Sequence, residues 1–388
     1  MKYKLSDICS GITDGSHNPP AGISKSNYLM LSSKNVFDDE ITFDDPRYLS
    51  EEQYVAEHKR TGIMAGDVLM TIVGTVGRTA VVSDGMPPIT LQRSVAVLHP
   101  LKDVCLNRYL MYVLRSKRNV FESEAHGVAQ KGIYLKQLSS IVVEVPEVER
   151  QKKVVQILDQ VQQVIKRRQK ELSKLDDLIK ARFVEMFGDP LNGTEKWPLH
   201  TVGDVAESID PQPSHRTPPV DQDGVPYVSI KDCDYKTGKI DFDNARKVGR
   251  YVLDEHRKRY TLHDGDFIIG KIGTIGNPIF VPARDDYTLS ANIVLVQPYR
   301  NKVSPYFLKY SFMSAFMERQ FEDAKNSTSQ AAFGIQKVRQ TSVMNPDLVE
   351  QYKFEEFAKQ VDKSKAQVQK SLNETQLLFD SLMQKYYG

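Results

Sequence analysis

The stretch Gly66-Asp67-Val68-Leu69-Met70-Thr71-Ile72-Val73-Gly74-Thr75-Val76-Gly77 decides the architecture, because it occurs twice. It returns as Gly265-Asp266-Phe267-Ile268-Ile269-Gly270-Lys271-Ile272-Gly273-Thr274-Ile275-Gly276, displaced by 199 residues (265 − 66). Outward from it, Glu57-His58-Lys59-Arg60 is echoed by Glu255-His256-Arg257-Lys258. Ser16-His17-Asn18-Pro19-Pro20 is echoed by Ser214-His215-Arg216-Thr217-Pro218-Pro219. Gln130 and Gln330 stand 200 apart (330 − 130). A displacement this steady makes the 388-residue chain two copies of one unit of roughly 200 residues.

Each unit has two parts. The first, over 1–145 and again over 189–345, is rich in Gly, Pro, Asn and Asp, with short apolar runs such as Val68-Leu69-Met70 and Ser94-Val95-Ala96-Val97-Leu98. These predict strands punctuated by turns. Apolar and aromatic residues at helical spacing predict a helix near Asn107–Phe121 and another near Pro305–Phe321. The expectation is two globular mixed α/β (α+β) domains.

The second part is of another kind. From 147 to 187 there is neither proline nor glycine, and Val154, Leu158, Val161, Ile165, Leu172, Leu175, Ile179 and Met186 alternate at steps of four and three, with Arg168 and Arg182 in the two remaining places. That is the seam of a helix packed on a helix. Pro146 suits a first helical position, and Gly188 with Pro190 a stop, so the first long helix is placed at 146–188. The second copy, 346–388, follows Asn345-Pro346-Asp347 as cap. Its seam is Phe354, Ala358, Val361, Val368, Leu372, Phe379, Leu382 and Tyr386, interrupted by Lys365 and Thr375. Each helix would span about 60 Å at about 1.5 Å per residue. A lone helix with one apolar stripe needs a partner. The expectation is therefore an antiparallel coiled coil with a domain at either end, rather than each helix packed on its own domain.

Composition narrows the function. With 40% hydrophobic and 26% charged residues the chain reads as globular, and no apolar run approaches the roughly 20 residues of a membrane helix. The first residues lack a signal-peptide core, and Cys9, Cys105 and Cys233 form neither a disulfide framework nor a C-x-x-C pair, so a cytoplasmic protein is expected. The Asn192, Asn326 and Asn373 glycosylation matches are then coincidental. The net charge is only +2, with 16 basic and 16 acidic residues over 1–145 and 20 of each over 189–345. A nucleic-acid binder of this composition must concentrate its positive charge locally or borrow it from partners.

No catalytic or metal constellation stands out. Gly265-x-x-x-x-Gly270-Lys271 imitates a P-loop, but Ile272 replaces the Ser or Thr that reaches magnesium. Asn18-Pro19-Pro20-Ala21 imitates the Asn-Pro-Pro-aromatic motif of adenine methyltransferases without the stacking ring. There is no glycine-rich S-adenosylmethionine turn. Asp232-Cys233-Asp234-Tyr235-Lys236 resembles a nuclease cluster, but Ser33-Lys34-Asn35-Val36 in the other copy lacks it. The eight histidines form no H-x-x-x-H pair, and no serine sits in G-x-S-x-G. Binding, rather than catalysis, is expected.

Ile12-Thr13-Asp14-Gly15-Ser16-His17, the Gly-Asp…Gly-Thr-Val-Gly block, the run Leu175–Pro190 ending Arg182-Phe183-Val184-Glu185-Met186-Phe187-Gly188-Asp189-Pro190, and the order domain, helix, domain, helix resemble the specificity subunits of Type I restriction–modification enzymes. The second helix departs from that pattern in ending Ser381-Leu382-Met383-Gln384-Lys385-Tyr386-Tyr387-Gly388. The resemblance implies a non-catalytic subunit whose two target-recognition domains each read half of an asymmetric, split DNA target. It implies helices that set the spacer and dock two modification subunits. It also implies S-adenosylmethionine on those subunits for adenine methylation, and ATP and magnesium on restriction subunits.

Base reading draws on Arg, Lys, Asn, Gln and Ser near loops, with cations on phosphates. The candidates in the first domain are His17, Lys34, Lys59, Arg60, Arg78, Gln92, Arg93, Gln130 and Lys131. In the second they are His215, Lys231, Arg257, Lys258, Arg259, Lys271, Asn277, Asn292, Ser329 and Gln330. For His17 and His215 a hydrogen bond that stabilises a turn competes with a DNA contact, and Gly74, Gly77, Gly273 and Gly276 suit tight turns. Lys166, Arg167 and Lys170 would leave one helix positive for a partner. The competing readings are a partner that fuses methyltransferase and nuclease, a stand-alone DNA-modifying enzyme, and a coiled-coil scaffold without DNA.

Overall fold

The computed structural model describes residues 1–124, 132–214, 216–235, 237–271, 277–326 and 334–388. They divide into two compact units, Met1–Gln169 with Lys370–Gly388, and Lys170–Gln369.

In the first unit a four-stranded antiparallel sheet runs in the order Cys9–Asp14, Val95–Pro100, Val68–Thr71, Thr79–Val81. In the second unit the order is the same: Ala206–Ile209, Ile293–Pro298, Phe267–Gly270, Ile279–Phe280. The repeated segment is thus an inner strand buried on both faces. Val68 and Met70 face one core and Leu69 another, the alternation a strand imposes. Phe267 and Ile269 are divided from Ile268 in the same way. The Gly-Asp before each strand also has a structural role. Gly66 and Gly265 take φ of +96° and +87°, and the carboxylates of Asp67 and Asp266 accept the backbone N–H of Met64 at 2.7 Å and of His263 at 2.8 Å, closing a turn.

Each copy adds a three-stranded sheet in which the Tyr28–Leu31 and Val220–Val228 strands pair in parallel with Ile89–Leu91 and Thr288–Leu289. Its opening strand, Lys2–Lys4 or Leu199–Thr201, pairs with the strand just before its long helix, Val142–Glu144 or Ser342–Met344.

The expected helix at Asn107–Phe121 is two, Asn107–Ser116 and Arg118–Glu124. That at Pro305–Phe321 is likewise Pro305–Phe312 and Ala315–Asn326. In the second copy the break carries its own cap, because Ser314 Oγ accepts the Met317 N–H at 3.3 Å.

The long helices are Val148–Phe187 and Leu348–Tyr387, 40 residues each. Both begin later than expected. Glu147 and Asp347 supply the first helical carbonyls, to Arg150 and Gln151 and to Glu350 and Gln351, while Pro146 and Asn345 stay outside. In the first unit Val154, Leu158 and Ile165 share a core with Phe379 and Met383. In the second, Ile179, Phe183 and Phe187 share one with Phe354, Ala358 and Val361. The start of one helix therefore meets the end of the other in each unit, as antiparallel pairing requires. These cores also contain the sheet and the helices beginning at Asn107 and Pro305, so the start of each long helix does pack on its own domain. Val368 is buried, and Val161, Leu172, Leu175, Leu372 and Leu382 are partly so. Lys365 tolerates its place in the stripe through an ion pair with Asp176 at 2.5 Å, and Thr375 bonds back to the Ser371 carbonyl at 2.7 Å.

Candidate functional site

The sequence signature Asp14-Gly15-Ser16-His17 brings several candidates together in the first unit. Ser16 N–H donates to the Leu91 carbonyl at 2.7 Å and Arg93 N–H to the Ser16 carbonyl at 2.9 Å. A Cβ on Gly15 would fall 2.1 Å from the Leu91 oxygen, so only glycine allows this crossing. His17 is thereby laid beside Gln92 and Arg93. Helix Glu51–Thr61, with Ser50 as N-cap and Gly62 (φ +55°) at its end, delivers Arg60 to the same place. Arg60 donates to Asp14 Oδ1 at 2.7 Å and to the Asp14 carbonyl at 3.1 Å, and His17 Nε2 lies 2.7 Å from Asp14 Oδ2.

Lys59 and Arg93 are exposed. Lys34 is exposed in an ion pair with Asp45 at 2.5 Å. Arg78 covers the Phe37 ring at 4.9 Å. Gly74 and Gly77 adopt φ of +82° and +88°, as turn residues. Gln130 and Lys131 lie outside the described residues, as do His215, Gly273, Gly276, Ser329 and Gln330.

In the second unit Lys231, Arg257, Lys258, Arg259 and Asn277 are exposed and Asn292 is half-buried. Lys271 corrects an expectation, because it is buried. Its ammonium pairs with Asp210 at 2.7 Å and donates to the Ala291 carbonyl at 3.0 Å, so it is not offered to a phosphate. The register identifies Asp210. It follows Ile209, which pairs with Leu295, as Asp14 follows Thr13, which pairs with Val97. Both halves thus place an aspartate at one strand end and neutralise it with a cation from a different element.

Lys166 is likewise not free. Its ammonium is 2.9 Å from Asp39, on the loop of the Val36–Phe37/Glu40–Ile41 hairpin. The neighbouring Arg108 bridges Asp39 to Asp159 on the long helix, and Arg118 holds Asp38 at 2.6 Å. Burial works against the Arg108 charge, but Asp159 and Asp39 outweigh it and hold its pKa above the ordinary guanidinium value. In the nuclease-like cluster Asp232 ends a short 3-10 helix and Cys233–Asp234 form a short strand, while Lys236 lies outside the described residues. Asp232 accepts the Ser229 N–H at 2.8 Å, and Asp234 the Thr237 hydroxyl at 2.7 Å. Among the described residues no group of His, Cys, Asp and Glu is arranged to hold a metal, and no helix is long and apolar enough to cross a membrane.

Sequence reading missed the aspartates that organise these cations. It also missed Gln151 and Gln351, wholly buried at the start of each long helix. Their separation of 200 residues (351 − 151), the repeat's own displacement, was the available signal.

One scaffold used twice, with different donors at matching positions, defines a duplicated recognition module. Both copies match the model of the Type I restriction modification DNA specificity domain, over residues 24–175 and 194–375, and the chain belongs to that family. It is 25% identical over 155 residues to the Type I restriction enzyme EcoBI specificity subunit of Escherichia coli, covering 39% of this chain and 31% of that protein. It is 20% identical over 334 residues to a Methanocaldococcus jannaschii protein described as a type I restriction enzyme MjaX specificity subunit, covering 80% and 74%. Its fold is similar to that of the Type I restriction–modification S subunit from M. genitalium, with a TM-score of 0.55 at 12% identity over 99% of this chain and 95% of that one. It is also similar to a chain from a study of assembly and conformational transition in the type I R-M system, with 0.53 at 15% identity over 100% and 97%.

Proposed function

We propose that the chain is the non-catalytic specificity subunit of a cytoplasmic Type I restriction–modification complex. Each globular domain reads one part of a split DNA target, and the paired long helices set the unread spacer between the parts. Carrying this reading is one observation: the specificity-domain model matches both halves, while the Arg60 paired with Asp14 is half exposed and the Lys271 paired with the equivalent Asp210 is buried. Two readers that differ in their surface donors select an asymmetric target. The DNA-facing candidates are the exposed His17, Lys59, Arg60 and Arg93 in one half and Lys231, Arg257, Lys258 and Arg259 in the other.

Modification subunits carrying S-adenosylmethionine would methylate adenines, and restriction subunits using ATP and magnesium would translocate and cut. Two modification subunits fit the duplication, because Leu178 and Leu378, 200 residues apart (378 − 178), are both about half exposed on the long helices. The balanced charge of each domain agrees with sharing the grip on phosphates among several chains.

The test is co-expression with the modification subunits and mapping of methylated adenines. A bipartite motif is expected, one part of which changes when residues 1–145 are exchanged for those of a relative. A continuous motif, or none, would overturn the proposal.

A further inference from the structure

Asp14 controls two exposed side chains at once. Its own side chain is 10% exposed, against 53% for His17 and 49% for Arg60. The two contacts from Arg60 use Nη2 and Nε, which form one edge of the planar guanidinium. That leaves the terminal edge, two parallel N–H groups on Nη1 and Nη2, with no further hydrogen bond among the described residues.

Such a fork matches a pair of acceptors side by side. On the major-groove edges of DNA, only guanine offers that pair, O6 with N7; adenine sets a donor beside its acceptor, cytosine offers a donor, and thymine a single acceptor next to a methyl group. A phosphate also accepts a fork, but Asp14 lies directly behind this one. Its carboxylate repels an anion and neutralises the arginine, whereas a neutral base edge meets no such penalty. Holding the side chain from behind also removes rotamer entropy that a free surface arginine would lose on binding.

The second half shows the contrast. Asp210 stands at the matching strand end, yet its cation is the ammonium of Lys271, which is 8% exposed and satisfied by Asp210 and the Ala291 carbonyl.

We propose that Arg60, held by Asp14, reads a guanine in the part of the DNA target contacted by the first half, with Asp14 as its positioning residue. This rests on the chain being a DNA-specificity subunit.

The experiment uses the full chain co-purified with its modification subunits and a pool of duplexes carrying every base at each target position, with methylated molecules sequenced. For Arg60→Gln, the preference for guanine is expected to fall roughly tenfold to a hundredfold at a single position of one part of the target, with preferences elsewhere kept. Asp14→Asn should weaken discrimination at that same position. An unchanged melting midpoint of Arg60→Gln separates these effects from unfolding. A uniform loss across all sequences, with the salt slope of binding reduced by about one, would make Arg60 a phosphate contact and overturn the proposal. Unaltered discrimination would overturn it as well. A wild-type complex that selects no sequence would instead remove the DNA-specificity reading on which it rests.

Discussion

Gln151 accepts the backbone N–H of Leu106 through its side-chain oxygen at 2.8 Å, from a position with no solvent exposure. Its amide donates to the carbonyls of Val104 at 2.8 Å and Pro146 at 2.7 Å. Gln351 makes the equivalent bonds, accepting from Ser304 at 2.7 Å and donating to the Pro346 carbonyl at 2.6 Å. Each glutamine ties the first turn of a long helix to the loop ahead of the Asn107 or Pro305 helix. Leucine in its place would strand buried backbone groups, each costing about 1–3 kcal/mol. Gln151→Leu, which strands three such groups, is therefore expected to lower stability by about 3 kcal/mol or more in urea unfolding followed by circular dichroism. A loss below about 0.5 kcal/mol would show that water replaces the amide.

The two faces of the first long helix make a graded prediction. Leu158 is wholly buried in the first unit's core, whereas Leu178 is 47% exposed. Leu158→Ala should cost about 2–5 kcal/mol, through lost burial and the cavity left behind. Leu178→Ala should change stability by less than about 0.5 kcal/mol. Equal effects would show that the exposed face is covered in solution.

His256 is buried beside Thr288, with Nδ1 and the hydroxyl oxygen 2.7 Å apart. Burial pushes its pKa below the ordinary imidazole value, ahead of smaller opposing effects from Glu255 and Asp210. A histidine harder to protonate when folded than when unfolded contributes stability above the unfolded pKa, near 6.5, and loses it as pH falls through the folded pKa. The melting midpoint should accordingly drop on acidification below about pH 6.5, and His256→Gln should flatten that part of the profile. An unchanged slope in the variant would assign the acid sensitivity to other groups.

Much of this was legible in the sequence because repetition and periodicity are local signals that burial reinforces. Val68-Leu69-Met70 reads as a strand and is one, and the stripe from Val154 to Ile179 reads as a seam and lines two cores. Ion pairing was not legible, because it joins residues far apart in the chain. Lys271 looks like a DNA-facing cation until Asp210, 61 residues earlier (271 − 210), is found against it, and Lys166 until Asp39 is. The helix starts were misplaced by two residues because proline marks the neighbourhood of a cap, while the cap itself falls to Glu147 and Asp347, whose carbonyls take the first helical hydrogen bonds. Asp14 stands in the Ile12–His17 signature, yet its work shows only once Arg60 is folded against it.

The repeated exposed leucines make the last prediction. Leu178 and Leu378 are 47% and 52% exposed, and Leu377 beside the latter is 69% exposed. An exposed leucine alone is ordinary, but two at matching places of a duplicated helix suit two matching partners. A charge buried in a contact without a counter-ion is strongly destabilising, so Leu178→Asp and Leu378→Asp should each weaken one docking event while leaving the chain folded. Native mass spectrometry of the co-purified complex should then show two modification subunits on the wild-type chain, one on either single variant and none on the double variant. Two subunits retained on the double variant would move the docking surface off these helices.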